Sequence, residues 1–264
     1  MSLTIATWNV NSVRMRLPHL TDWLRATKTD IMLLQELKCQ TDAFPYQEIE
    51  DCGYNIAVNG QKTYNGVAIL SRYPLNDVST ILPEYHNPDE ARYIEAVVDG
   101  PDNFVCRVVS IYVPNGQEPG SPAFADKLTF LENVRDHAGH LAQYDEAVVL
   151  GGDFNVAPEP IDVYDAHALD GTTCFHPSER ERLRTLLYDG WYDAYRTMNP
   201  KGRAYSWWDY RAGAWQQNKG MRIDHLLLSP QAADRLTACN VDLAPRTLEK
   251  ASDHTPVVAT LRTV

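Results

Sequence analysis

Short apolar runs recur along this chain, and most of them stop at polar residues. Leu3–Val10, Asp30–Leu34, Tyr54–Val58, Gly66–Ser71, Ile223–Leu228 and Thr255–Leu261 each read as a strand. Tyr93–Val98 and Phe104–Tyr112 read as a hairpin around Asp99-Gly100-Pro101-Asp102-Asn103. Ala147–Leu150 is a strand of only four apolar residues, followed by Gly151-Gly152. The glycine pair is read as room for the chain to turn out of a sheet.

Helical spacing is rarer. Pro18–Lys28 starts on a proline and places Leu20, Trp23 and Leu24 on one side. Pro122–Tyr144 is capped by Ser121, with Phe124, Leu128, Leu131, Val134, Ala138 and Leu141 along one stripe. Glu179–Tyr188 is a charged amphipathic helix. No linker, charge block or short-period repeat divides the chain. Many short strands with a few helices suit one α/β domain over residues 1–264, built around packed sheets.

Bulk properties exclude some classes. With 44% hydrophobic residues the chain can bury a sizeable core, yet no apolar run reaches a membrane span. The first residues carry no basic leader, so a cytoplasmic protein is expected. Five scattered cysteines with no Cys-x-x-Cys pair speak against a disulfide framework or a zinc site. A net charge of −11 weighs against non-specific nucleic-acid binding, although carboxylates gathered around a cation leave room for a basic rim.

The strand ends carry the chemistry. Asn9 and Asn11, Gln35-Glu36, Tyr112 with Asn115, Asp153 with Asn155, Arg222 with Asp224, and Asp253-His254 all flank apolar runs. One such residue is most simply a turn or cap residue. Six segments with one theme of carboxylates, amides, a histidine and a tyrosine suit phosphodiester hydrolysis, where phosphoryl charge must be neutralised and water aimed. Glu36 fits a magnesium ligand, and Asn9 can offer an amide oxygen. His254 backed by a carboxylate can contact phosphate, and Asp153 beside Asn155 can orient or deprotonate water. No nucleophile elbow, Walker loop, dinucleotide fingerprint or zinc helix is present.

Taken in order, the segments are Thr7-Trp8-Asn9-Val10-Asn11-Ser12-Val13-Arg14, Leu34-Gln35-Glu36-Leu37-Lys38, Tyr112-Val113-Pro114-Asn115, Gly152-Asp153-Phe154-Asn155, Ser206-Trp207-Trp208-Asp209-Tyr210-Arg211, Gly220-Met221-Arg222-Ile223-Asp224 and Ser252-Asp253-His254. This series closely resembles the exonuclease III family of abasic-site endonucleases, within the superfamily that includes DNase I. The resemblance implies a four-layered α/β sandwich, two packed sheets flanked by helices. It implies a Mg2+-dependent DNA-repair nuclease, with Mn2+ able to substitute. Such an enzyme cuts 5′ to abasic sites in duplex DNA, leaves a 3′ hydroxyl and also processes recessed 3′ ends; a monomer is the default expectation.

Residue roles follow from the same resemblance. Glu36 is the main metal ligand, with Asn9 and Asp253 beside it. Asp153, Asn155, Tyr112 and His254 form the catalytic group, and Asp224 orients His254. Asn11 and Asn115 touch substrate, and Trp207, Met221 and Ile223 wall a pocket for an extruded abasic sugar. A basic rim is drawn from Arg14, Lys38, Lys62, Arg92, Arg211, Lys219 and Arg222.

Two residues depart from the family pattern. Leu37 stands where relatives usually carry threonine, which removes a hydroxyl near the metal. Met221 stands where some relatives have a bulky aromatic, and a softer wall is expected to favour exonuclease action. Three other readings stay open: a phosphatase or sphingomyelinase of the same superfamily, a non-catalytic nucleic-acid-binding relative, and a single-strand or RNA nuclease activity on the same scaffold. The second should have lost one of Glu36, Asp153, Asn155, Asp224 or His254, and all five are present.

Overall fold

A computed structural model describes residues 1–264. Walking the chain, Ser2–Asn9 (β1), Leu17–Thr27 (α1), Ile31–Gln35 (β2), Tyr46–Glu50 (α2), Asn55–Asn59 (β3) and Val67–Ser71 (β4) build one half. Leu75–Ser79 (β5), Tyr93–Asp99 (β6), Val105–Tyr112 (β7), Pro122–Leu141 (α3), Ala147–Asp153 (β8), Pro177–Tyr188 (α4) and Tyr192–Asp193 (β9) build the other. Trp207–Trp208 (β10) and Gly220–Met221 (β11) form a small ribbon before Asp224–Leu228 (β12), Leu236–Val241 (β13) and Val257–Arg262 (β14).

Two six-stranded sheets result, ordered β13-β14-β1-β2-β4-β3 and β5-β6-β7-β8-β12-β9. Leu3, Ile5, Ile31 and Leu33 of the first meet Val108, Val149, Leu226 and Leu228 of the second in a shared core. Truncating one such leucine to alanine costs about 2–5 kcal/mol. α1 lays Leu20, Trp23 and Leu24 on the outer face of the first sheet, against Trp8, Met32 and Leu34. α3 and α4 cover the second sheet through Phe130, Leu131, Val134, Leu183 and Leu186. The order helix, sheet, sheet, helix is the four-layered sandwich that the sequence predicts.

Strand direction explains why polar ends meet. Each sheet has one parallel pair, β1 with β2 and β7 with β8. Parallel strands finish on the same side, so Asn9 lies opposite Gln35, and Tyr112 opposite Asp153. The antiparallel neighbours begin where these strands end. β12 starts with Asp224 opposite Asp153, and β14 starts just after His254. Beneath this rim the sheets are tied by a buried polar chain: Thr7 donates to Gln35, Gln35 to Ser110, and Ser110 to the Leu34 carbonyl.

One expectation is overturned at Gly151-Gly152. The chain does not turn there; β8 runs on to Asp153, paired on both sides. The glycines serve close approach instead. A Cβ on Gly151 would lie 2.4 Å from Leu33 Cδ1 of the facing sheet, and one on Gly152 would lie 1.9 Å from the Ile111 carbonyl oxygen. The β5 edge strand is absent from the sequence reading because Leu-Asn-Asp-Val-Ser has no buried pattern to reveal it.

Candidate active site

Six chain segments converge at the rim. Asn9 Nδ2 donates to Glu36 Oε1 at 2.8 Å and to Asp153 Oδ2 at 2.9 Å. The Tyr112 hydroxyl donates to Glu36 Oε1 at 3.0 Å. The Asn155 backbone N–H donates to Asp153 Oδ1 at 2.9 Å, and Asn115 Nδ2 donates to Asn155 Oδ1 at 3.2 Å. His254 Nδ1 sits 2.8 Å from Asp224 Oδ2, and its Nε2 faces Asp153 Oδ2 at 3.7 Å. Ser252 binds the last segment in place, donating to the Asn9 carbonyl and accepting from the His254 N–H.

Electrostatics then assign protons. Burial pushes the His254 imidazolium down, but Asp224 and Asp153 outweigh it, and the group is held up at about 10. Burial raises Asp153; His254 pulls it back, Asp224 and Glu36 push it up again, and it settles at about 7. Burial, with Glu36 and Asp153 adding to it, lifts the Tyr112 phenol well above its ordinary value. At neutral pH His254 is therefore a cation, Tyr112 a hydroxyl donor, and Asp153 a carboxylate that takes a proton readily.

Glu36, Asp153 and His254 bring ligand-type atoms within 4.8 Å of one another. His254 Nδ1 is taken up by Asp224, so the set offers two carboxylate oxygens beside one imidazole nitrogen. Oxygen donors suit a hard divalent cation. Glu36 is the more open of the two carboxylates, with 16% of its side chain exposed against 1% for Asp153. Burial, with Asp224 and Glu36 adding to it, lifts Asp153, and a cation relieves that cost, so these residues fit a metal site anchored on Glu36.

Asn9, Asp253 and Arg222 are each held by hydrogen bonds or ion pairs within the protein. Asn9 turns its NH2 to the two carboxylates, while its Oδ1 accepts from the Asn11 N–H. In this arrangement it tethers Glu36 to Asp153. Asp253 accepts from Asn11 Nδ2 at 2.8 Å and Trp207 Nε1 at 3.0 Å. Burial raises its carboxyl, but His254 and those two donors outweigh it and hold it below its usual range. It lies outside the Glu36–Asp153–His254 group and pins the pocket wall. Arg222 is not on any rim: it is fully buried, with Nε 2.8 Å from Asp162 and Nη2 2.8 Å from Asp193. Alternation along an extended segment places Met221 and Ile223 on the cavity side and Arg222 behind them.

The cavity holds about 340 Å3. Trp207, Met221 and Ile223 wall one side, and Glu36, Tyr112, Asn115, Asp153, Asn155 and His254 face them. Trp207 pairs with Met221 across β10 and β11 and bridges to His254, so apolar wall and catalytic group are one unit. Trp208 points away into the core. Leu37 is fully buried against Gly66 in the outer core, so the lost hydroxyl leaves no gap.

Other cations sit as follows. Lys38 Nζ lies 2.8 Å from Glu36 Oε2 and donates to Asn11 Oδ1. Arg92 stacks over the Tyr112 ring with its guanidinium 5.0 Å from the centroid. Arg211, 88% exposed, reaches the cavity mouth beside Asp209. Arg14, Lys62 and Lys219 are exposed. The sequence reading missed Thr173 and Cys174, which also line the cavity, because no motif marks them; Asp209 lines it too and lies in the Ser206–Arg211 segment, where the sequence reading assigns it no role. It also missed Lys127, buried where α3 should show an apolar residue.

Comparison with known proteins agrees with this geometry. Residues 6–254 match the model of the endonuclease/exonuclease/phosphatase family. The chain is 30% identical to exodeoxyribonuclease III of Haemophilus influenzae, over 96% of this chain and 97% of that one. It is similar in structure to an AP endonuclease from Archaeoglobus fulgidus, with TM-score 0.92 and 38% identity over 98% and 99% of the two chains. A 3′ phosphatase from Neisseria, solved with a product DNA hairpin, superposes at TM-score 0.94 with 38% identity over 98% of this chain and 99% of that chain. A family match across nearly the whole length, together with a rim of Glu36, Asp153 and an Asp224-backed His254, means that the chain belongs to the endonuclease/exonuclease/phosphatase family.

Proposed function

We propose that this chain is a DNA-repair phosphodiesterase of the exonuclease III type, working as one domain and as a cytoplasmic monomer. Its substrates are duplex DNA with abasic sites and recessed 3′ ends. It cuts 5′ to an abasic sugar, leaving a 3′ hydroxyl, and trims or cleans 3′ termini. The observation that carries this reading is the pairing of the Asp153–His254 couple, 3.7 Å apart, with the Trp207–Met221–Ile223 wall of the same cavity.

In this reading Asp153 accepts the proton of the attacking water, with Asn155 holding the carboxylate and the water in line. The P–O3′ bond breaks as the new P–O bond forms. His254 stays protonated and pairs with a non-bridging phosphoryl oxygen, Tyr112 donates a hydrogen bond to the phosphate or to the departing oxygen, and that oxygen takes its proton from solvent water to become the 3′ hydroxyl. Bound Mg2+, or Mn2+ in its place, supplies positive charge at the phosphate from its seat on Glu36. The apolar wall receives a sugar that has lost its base, whereas a base-bearing nucleotide needs more room. Asn115 and Arg92 face the phosphate side.

The test is incubation with Mg2+ and a duplex carrying one abasic analogue. Incision on the 5′ side with a 3′ hydroxyl product is expected, and chelation should abolish it. An intact duplex, with inositol phosphate or sphingomyelin hydrolysed instead, sinks the reading.

A further inference from the structure

Lys127 lies in α3 with none of its surface exposed. An ammonium in that position is costly unless every proton has an acceptor. All three do: Glu179 Oε1 at 2.8 Å, the Asn155 carbonyl at 2.7 Å and the Asn115 carbonyl at 3.0 Å. Two of the three acceptors are thus the backbones of the two amide residues that face the cavity.

Glu179 is equally buried. Its other oxygen accepts from the His176 N–H at 3.3 Å and closes a capping box at the start of α4. Thr173 and Cys174, just before that cap, line the cavity. One ammonium therefore joins three cavity segments: the one after β7, the one after β8 and the one leading into α4. The fit is tight, since a Cβ on Gly116 would lie 2.8 Å from Lys127 Cδ.

What these bonds hold is specific. Asn155 sits at φ +51°, a conformation that needs support in a residue with a side chain. From there its N–H reaches Asp153 Oδ1, its Nδ2 reaches the Val113 carbonyl at 3.0 Å, and its Oδ1 accepts from Asn115. An apolar pair of similar volume would pack this spot at no loss of stability if the ion pair were the whole purpose. It would leave the two carbonyls without donors.

We propose that Lys127 is a positioning residue for the hydrolytic site: through the Asn115 and Asn155 carbonyls it fixes Asn155 against Asp153 and Asn115 against Asn155. The catalytic part of this inference rests on the phosphodiester reading above. The positional part does not, and the two are measured separately.

Three variants decide it: Lys127→Met, the double variant Lys127→Met with Glu179→Leu, and Glu179→Gln. Lys127→Met strands the Glu179 charge and should melt well below the parent, while the double variant, with no buried charge left, should recover much of that loss. Its kcat on the abasic duplex should still fall by roughly 100-fold with KM nearly unchanged, the size expected when aligned groups move by about 1 Å. Glu179→Gln keeps both carbonyl bonds and should hold kcat within about threefold, since an amide oxygen can still accept from the ammonium. A double variant with the parent's kcat, or a Glu179→Gln enzyme as slow as Lys127→Met, overturns the proposal. Hydrogen exchange reads the same question without turnover. In the double variant the Asn155 amide should exchange at least about tenfold faster while β8 amides stay protected. An unchanged Asn155 rate overturns the positional claim even if the duplex is not a substrate.

Discussion

Asp224 grips His254 with both carboxylate oxygens, at 2.8 and 3.1 Å from Nδ1, while Nε2 is left to face Asp153. The grip sets the ring's orientation and its charge together. In Asp224→Asn the amide can still bond the ring but no longer stabilises the cation. His254 should then titrate closer to its ordinary value, readable by NMR of the ring. Activity should drop by about 10²–10⁴-fold, the range for losing an acid–base or electrostatic group. A variant with undiminished turnover would show that the imidazolium is dispensable.

The pH response follows from two opposed shifts. Asp153 titrates at about 7, above its ordinary 3.8, so ionising it works against the fold as pH rises across that interval. His254 titrates at about 10 against an ordinary 6.5. Its stabilising contribution is complete below 6.5 and is lost as pH climbs through 10. Turnover needs Asp153 ionised and His254 protonated. A plot of kcat/KM against pH should therefore rise towards neutrality and fall near 10, and the rising limb should move to lower pH with more divalent cation. A flat profile from pH 6 to 11 contradicts these assignments.

Met221 pairs with Trp207 and is 8% exposed, so its thioether forms a pliable part of the cavity wall. Met221→Trp should narrow the space available to a base-bearing nucleotide. The ratio of exonuclease to abasic-site cleavage should fall about 10-fold, the low end of what hydrophobic pocket changes produce. Rates on a recessed 3′ end and on an abasic duplex measure it, and an unchanged ratio counts against the role of the wall.

Arg222 separates structural from DNA-binding charge. It is buried between Asp162 and Asp193, so Arg222→Met should cost about 3–5 kcal/mol by removing the guanidinium from Asp193 and leaving Asp162 to Arg196 alone. Denaturant titration reads that loss. The salt dependence of DNA binding should stay unchanged, since no phosphate contact is removed. Arg211→Ala, at the exposed cavity mouth, should do the reverse: stability kept within about 0.5 kcal/mol and the salt slope reduced by about 1.

Several features were legible from the residues alone because they are local. Leu20, Trp23 and Leu24 of α1 follow the helical period, and Ser121 caps α3 as its position predicts. Glu36, Tyr112, Asp153, Asp224 and His254 could be picked out because each ends or opens a short apolar run. The match to a family pattern then linked segments far apart in the chain.

Tertiary pairing decided the rest. Gly151-Gly152 looks like a turn in sequence, yet the chain runs straight, because β7 and β12 bond it on both sides and Leu33 packs where a Cβ would stand. Arg222 looks like a surface cation beside a motif, but strand alternation turns it inward to Asp162 and Asp193. Lys127 breaks an apolar stripe and carries no local sign of its partners, which lie 12, 28 and 52 residues away. Residue type and spacing determined which groups this protein could bring to a phosphate. Only the packing of two sheets with parallel central pairs decided which of those groups face one another, because facing depends on register and burial between segments distant in the chain.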